Sequence, residues 1–112
     1  MTTPEELLDL CDELARDLRE AARRTAAPRA YYAAFWHLRA VAEARLGSFD
    51  STGPEIHQEV YRATRIWDEG TAGSLAFLRS LRNTADYDPE RGFSVALTDR
   101  CVRLAREILK TK

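Results

Sequence analysis

The stretch Arg29-Ala30-Tyr31-Tyr32-Ala33-Ala34-Phe35-Trp36-His37-Leu38-Arg39-Ala40-Val41 decides the fold of this chain, because its apolar side chains recur at helical spacing on more than one face. One stripe of this helix contains Tyr31, Phe35, Leu38, Ala42 and Leu46. A neighbouring stripe contains Tyr32, Trp36 and Arg39. Because this apolar surface is wider than one helix–helix contact requires, we expect the central helix of a bundle, or a helix that also meets a second subunit.

The segment before this stretch predicts a first, amphipathic helix. It opens at Thr3 and Pro4, since threonine is a common N-cap and proline fits the first turn. A short joint is expected at residues 24–27, after which Pro28 would start the central helix. Gly47 would end that helix as a C-terminal cap.

Three further helices are expected after the polar loop that follows Gly47. The third should cover residues 54–69, and a break at residues 70–73 should separate it from the fourth. The fourth should stop before Pro89, and the fifth should contain the apolar positions from Phe93 onward. The chain is therefore predicted to be all-α, a five-helix up-and-down bundle with short connections that forms one domain over residues 1–112.

The amino-acid composition and net charge are those of an ordinary soluble globular protein. The chain has 112 residues, of which 45% are hydrophobic and 31% charged, as is ordinary for a soluble globular domain. A net charge of -1 argues against nonspecific nucleic-acid binding by the whole surface, but it leaves room for a local basic pocket. Cys11 and Cys101 lie in apolar stripes and are expected to be buried free thiols. We expect a cytoplasmic protein with no cofactor, no metal and no membrane association.

The stretch Leu78-Arg79-Ser80-Leu81-Arg82-Asn83-Thr84-Ala85-Asp86-Tyr87-Asp88 concentrates polar side chains on a helix whose other positions are apolar. Leu78, Arg82 and Asp86 share one face because each lies four residues from the next. A guanidinium at the edge of an apolar stripe needs a partner or a function. Two hypotheses follow: an Arg82–Asp86 ion pair that stabilises the helix, or a functional site.

Three segments, taken in order, resemble the HEPN domain family (higher-eukaryote and prokaryote nucleotide-binding), and in particular its small stand-alone prokaryotic members. These segments are Arg29-Ala30-Tyr31-Tyr32-Ala33-Ala34-Phe35, Ile56-His57-Gln58-Glu59-Val60 and Leu81-Arg82-Asn83-Thr84-Ala85-Asp86-Tyr87. The family pattern is Arg-Ala-Tyr-Tyr-Ala in an early helix, a histidine at the start of the middle helix, and Arg-x-x-Ala-Asp-Tyr in a late helix. The order and spacing of the three segments cover nearly the whole chain.

The resemblance implies a helical homodimer in which the late-helix motif faces its symmetry mate across a cleft. It also implies a role in a toxin–antitoxin or defence system, through RNA cleavage without a metal ion or through nucleotide binding. Family members often partner a minimal nucleotidyltransferase. In some of them that partner modifies a tyrosine of the motif, and Tyr87 is the corresponding position here.

The candidate catalytic residues are Arg82, Asp86 and Tyr87, and the candidate RNA- or nucleotide-binding residues are Arg29, Asn83, His57 and Arg79. An arginine can stabilise the charge that develops on a phosphate during cleavage. Ribonuclease members also carry a histidine four to six residues after this arginine, and this chain has none there. His57 could supply the missing base if the fold brings it to the cleft. Two hypotheses stay open. The first is a protein that binds RNA or a nucleotide, with or without cleavage of RNA, and the second is a noncatalytic dimeric interaction module.

Overall fold

The computed structural model describes residues 2–49 and 53–112, and the chain forms five helices in this part. Their bounds are α1 Pro4–Ala15, α2 Glu20–Leu46, α3 Glu55–Trp67, α4 Glu69–Tyr87 and α5 Val95–Leu109. The predicted all-α, five-helix bundle is confirmed. No helix within the described residues is both long enough and apolar enough to span a membrane.

Helix α2 is the central element, as its wide apolar surface predicts, and it packs against all four other helices. Its buried positions include Tyr31, Phe35, Leu38 and Ala42 from the predicted stripe, whereas Leu46 at the end of that stripe is exposed. Small residues bring the neighbouring helices close to α2, and several are fully buried. These residues are Ala26, Ala27, Ala30, Ala33 and Ala34.

Contacts at both ends of α3 define its direction. The side chain of His57, at the start of α3, meets Tyr31 in the first half of α2. At the other end, the guanidinium of Arg45 lies 4.9 Å from the ring centroid of Trp67. Helix α3 therefore runs in the same direction as α2, and α4 returns antiparallel to both. The predicted up-and-down order is thus wrong at the connection between α2 and α3, because the residues after Gly47 return the chain to the level of Tyr31 before α3 begins. Helices α2, α3 and α4 border the cavity described below.

The predicted joint at residues 24–27 is wrong, because α2 begins at Glu20 and runs through Pro28. The chain instead turns between α1 and α2 at residues 16–19. There the Asp17 carboxylate accepts the backbone N–H of Arg19 at 2.9 Å and the Arg19 guanidinium at 2.8 Å. These bonds hold the backbone out of the helix at the turn.

The predicted break at residues 70–73 is also wrong, since α4 begins at Glu69. The side chain of Asp68 caps α4 by accepting the backbone N–H of Thr71 at 3.0 Å. Gly70 and Gly73 therefore fall in the first turns of the helix, where fully buried Ala72 anchors the backbone to the core. The predicted end before Pro89 is confirmed.

Candidate functional site

Arg82 lies where α4 crosses α2, and its guanidinium is held by side chains from both helices. One terminal nitrogen, Nη1, donates to Oδ1 of Asn83 at 3.0 Å, and the other, Nη2, donates to the hydroxyl of Tyr32 at 3.3 Å. The guanidinium carbon lies 5.7 Å from the ring centroid of Tyr32 and 5.4 Å from that of Tyr87. The side chain keeps only 18% of its surface exposed, so these contacts fix its position.

The predicted pairing of Arg82 with Asp86 is present. Nε of Arg82 lies 3.1 Å from Oδ2 of Asp86, one helical turn away. The N–H is nevertheless not directed at the carboxylate oxygen, so this buried nitrogen makes no hydrogen bond with any described residue. We therefore treat the contact as a charge–charge attraction, which contributes less than a well-aligned, charge-assisted hydrogen bond.

His57 does reach this region, as the hypothesis of a recruited base requires. Its Nδ1 lies 2.6 Å from the hydroxyl oxygen of Tyr31, and its ring centroid lies 4.4 Å from that of Phe35. Burial lowers the pKa of His57, and the positive charges of Arg79 and Arg82 lower it further. The imidazole is therefore neutral at neutral pH, with one nitrogen tied to Tyr31.

The buried hydroxyl of Tyr31 is the fixed partner in this pair. Desolvation raises the pKa of Tyr31 to about 12, so the phenol stays protonated and neutral. If Nδ1 of His57 carries the proton and donates it to the Tyr31 oxygen, Nε2 is left free to accept a proton. That tautomer is the one a general base at this position needs.

A cavity of about 330 Å³ lies between α2, α3 and α4 beside this pair. Its lining combines aromatic and apolar side chains with five other polar or charged residues. The lining residues are Tyr31, His57, Gln58, Tyr61, Leu75, Ala76, Arg79, Ser80 and Asn83. The volume is at the lower end of the range found for small-molecule sites, and the mixture of apolar walls with a few polar groups is typical of them.

Arg79 is the distinctive charged group of the cavity. Its side chain makes no hydrogen bond or ion pair with any residue of 2–49 or 53–112, although it is partly buried. By contrast, each terminal nitrogen of the neighbouring Arg82 has a protein acceptor. An unpaired guanidinium next to a neutral imidazole makes this cavity suited to an anion such as a phosphate.

The structure brings most of the predicted site residues together, but it distributes them over two adjoining concave surfaces. His57, Arg79 and Asn83 line the cavity, and Arg82 joins it through its bond to Asn83. Asp86 and Arg29 line a second groove between α2 and α4, which Tyr32 also borders. Tyr87 lies beyond Arg82 at the end of α4, with 70% of its surface exposed.

Arg24 is a residue that the sequence analysis missed. Its guanidinium donates to the carbonyl oxygens of Thr84 at 3.3 Å, Ala85 at 3.1 Å and Asp88 at 3.1 Å. It also contacts carbonyl oxygens of the loop after α4, those of Pro89 and Arg91. Because α4 has no basic residue in its own last turn, Arg24 supplies the positive charge that the end of a helix favours.

Glu20 completes this contact between the start of α2 and the end of α4. Its carboxylate accepts the backbone N–H of Phe93 at 2.8 Å and lies 3.4 Å from Arg24. The bond from Phe93 is the main cause that lowers the pKa of Glu20. The four-residue spacing of Glu20 and Arg24 was visible in the sequence, but their partners about 60 to 73 positions away were not.

In comparisons with known proteins, no family model matches the chain, and neither curated proteins nor solved structures give a match.

Proposed function

We propose that this chain is a HEPN-like protein of a toxin–antitoxin or defence system that binds RNA or a nucleotide at the face formed by α2, α3 and α4. The observation that carries the proposal is the guanidinium of Arg79, which has no acceptor among the described residues, in the cavity that also contains neutral His57 and Asn83. A phosphate placed there would gain a cationic donor without breaking an existing ion pair. Tyr61 supplies ring surface in the same cavity for a base or sugar.

The same group of residues supports RNA cleavage that needs no metal ion. In this step His57 Nε2 accepts the proton of a 2′-hydroxyl, and the 2′-oxygen bonds to phosphorus. The bond from phosphorus to the 5′-oxygen breaks, and that oxygen leaves with a proton from solvent, which gives a 2′,3′-cyclic phosphate. Arg79 and Arg82 would stabilise the charge on the phosphorane. His57 thus takes the role of the histidine that the motif around Arg82 lacks.

As implied by the resemblance, we propose that the active form is a homodimer with two copies of this face beside a shared cleft. Arg82 then both holds the wall of the cleft and adds to its positive charge. Asp86, also a candidate catalytic residue, fits the role of base less well because it lines the second groove instead of the cavity and lies 3.1 Å from Arg82.

The test is cleavage and binding of a mixed pool of structured and single-stranded RNA, in EDTA. Wild type, Arg79→Ala, His57→Gln and the surface control Arg16→Ala would be purified side by side. We expect Arg79→Ala to lose binding and cleavage, and His57→Gln to bind RNA but not cut it. Cleavage that survives in folded His57→Gln would overturn the assignment of the base, and RNA binding by Arg79→Ala equal to wild type would overturn the site.

A second function is favoured by one observation. The terminal nitrogens of Arg82 are already satisfied within the fold, while Tyr87 is left largely exposed at the end of α4. This arrangement suits a noncatalytic interaction module that presents Tyr87 to a partner nucleotidyltransferase. Under this alternative the wild type neither binds nor cleaves RNA, and a nucleotidyltransferase co-purified or co-expressed with it labels wild type but not Tyr87→Phe.

A further inference from the structure

A row of ring and guanidinium groups crosses from α2 to α4 beside the cavity, and we refer to it as the aromatic row. It consists of Trp36, Tyr32, Arg82 and Tyr87. The ring centroids of Trp36 and Tyr32 lie 6.5 Å apart, one helical turn along α2. Arg82 then lies 5.7 Å from the Tyr32 centroid and 5.4 Å from the Tyr87 centroid, so it joins the rings of the two helices.

Both ends of the aromatic row are open to solvent. Trp36 has 43% of its surface exposed and Tyr87 has 70%. Elsewhere on α2 most aromatic surface is used in the core, since Tyr31 and Phe35 are buried. The rings of Trp36 and Tyr87 therefore have faces that the described part of the chain does not cover.

The charges around the row are more positive than negative. Arg29 and Arg79 make no ion pair with any described residue, while Asp86 is paired with Arg82. Two further arginines near the row, Arg24 and Arg39, are paired with Glu20 and Glu43. The positive excess beside the row therefore comes from Arg29 and Arg79, on a chain whose overall net charge is -1.

We propose that the aromatic row is a base-stacking platform for single-stranded nucleic acid, with the phosphates directed toward Arg29 and Arg79. Aromatic rings and arginine planes are the surfaces on which unpaired bases stack. The 6.5 Å between the Trp36 and Tyr32 centroids exceeds the ~3.4 Å rise per nucleotide of a duplex strand, so an extended, unstacked strand fits better than a duplex. This inference rests on the proposed function and specifies the substrate as a strand longer than a mononucleotide.

A second copy of the chain is the other occupant that such a surface could accept. A twofold contact between two aromatic rows would bring Arg29 and Arg79 of one copy near those of the other. Like charges facing each other across an interface are unfavourable, whereas a polyanion neutralises them. Charge complementarity therefore favours nucleic acid at the row itself.

Fluorescence anisotropy with a labelled single-stranded oligouridylate tests this platform. The variants are Trp36→Leu, Tyr87→Leu and their double variant, and the matched control is Phe77→Leu. Phe77 is an exposed ring on α4 that contacts Arg100 of α5, away from the row. We expect affinity to fall about fivefold or more for each ring lost from the row and to stay unchanged in the control. A duplex of the same sequence should bind wild type more weakly than the single strand does.

Trp36 also gives a direct signal, because Trp67 is the only other tryptophan in the chain. In a Trp67→Phe background, a base stacked on Trp36 should quench its emission, and uridine monophosphate held in the cavity should not.

If the double variant binds the strand as tightly as wild type while Arg79→Ala does not, the platform is overturned and the proposed function stands. If wild type binds no strand at all, the proposed function falls as well. A dimer that dissociates in the double variant without loss of RNA affinity would identify the row as a protein interface and overturn the platform.

Discussion

The guanidinium of Arg24, at the start of α2, donates a hydrogen bond of 3.1 Å to the carbonyl oxygen of Ala85, in the last turn of α4. This contact joins two helix ends that are 61 residues apart in sequence. It also holds the turn of α4 that carries Asp86 and Tyr87. The positions of Asp86 and Tyr87 therefore depend on a residue near the start of α2.

Replacement of Arg24 by alanine should destabilise the fold more than any other arginine-to-alanine change in the chain. Several carbonyl oxygens at the end of α4 would lose their donor at once, and we expect a loss of about 2–4 kcal/mol in the free energy of unfolding. Urea denaturation measures this loss. Arg16→Ala is the matched control, because the exposed Arg16 side chain makes no hydrogen bond or ion pair among the described residues. Equal urea midpoints for the two variants would contradict the prediction.

A double-mutant cycle on Arg82 and Asp86 separates the structural role of this pair from a role in binding. Arg82→Ala should cost about 1–2 kcal/mol, chiefly because Tyr32 and Asn83 lose their hydrogen-bond donor. The coupling energy with Asp86→Ala should be about 0.5 kcal/mol, since the pair is partly exposed and Nε–H is not directed at the carboxylate. A coupling energy above about 2 kcal/mol would show that the pair is a structural lock.

His57 should make stability depend on pH in a defined direction. Burial, together with Arg79 and Arg82, lowers the pKa of His57 below its ordinary value of 6.5, so the unfolded chain binds this proton more readily than the folded chain. The stability that neutral His57 provides is complete above pH 6.5 and is lost as the pH falls toward the folded pKa. When the pH is lowered from about 7.5 to about 5.5, the Tm of wild type should therefore fall by more than the Tm of His57→Gln. Equal losses in the two proteins would show that His57 is not desolvated in the folded state.

The two cysteines should react slowly with thiol reagents while the protein is folded. Both are fully buried free thiols, as the sequence predicts, and burial raises the pKa of each to about 12. Only the thiolate reacts, and almost none is present at neutral pH. Titration with Ellman's reagent should give little colour in buffer and two thiols in denaturant. Fast labelling of either Cys11 or Cys101 in buffer would show that local opening exposes it.

Helical periodicity in the sequence predicted the number of helices and the central role of α2. It gave wrong boundaries where it relied on single residues. Pro28 is a good first-turn residue and a poor interior one, yet α2 extends eight residues before it. Local preference disfavours a helix in the segment before Pro28. Burial of Ala26 and Ala27 stabilises this segment, and so do the hydrogen bonds of Arg24 and Glu20 with residues 84–93.

The candidate site was predictable to the extent that it follows helix geometry. The spacing of Arg82 and Asp86 fixed their contact, and the motif positions placed Arg79 and Asn83 on the same helix. The contact between His57 and Tyr31 depends on how α3 packs against α2, and helical spacing gives no information on that packing. That Arg79 finds no acceptor within residues 2–49 and 53–112 could likewise be recognised only from the packed structure.

The contact between Glu20, Arg24 and residues 84–93 also affects how the molecule opens. The first turns of α2 and the last turn of α4 share one set of hydrogen bonds, so neither can fray alone without leaving the other unsatisfied. The two helix ends therefore form a single cooperative opening unit, although they lie far apart along the chain. Their backbone amides should lose hydrogen-exchange protection together, and a fragment that ends before Thr84 should leave the start of α2 unprotected.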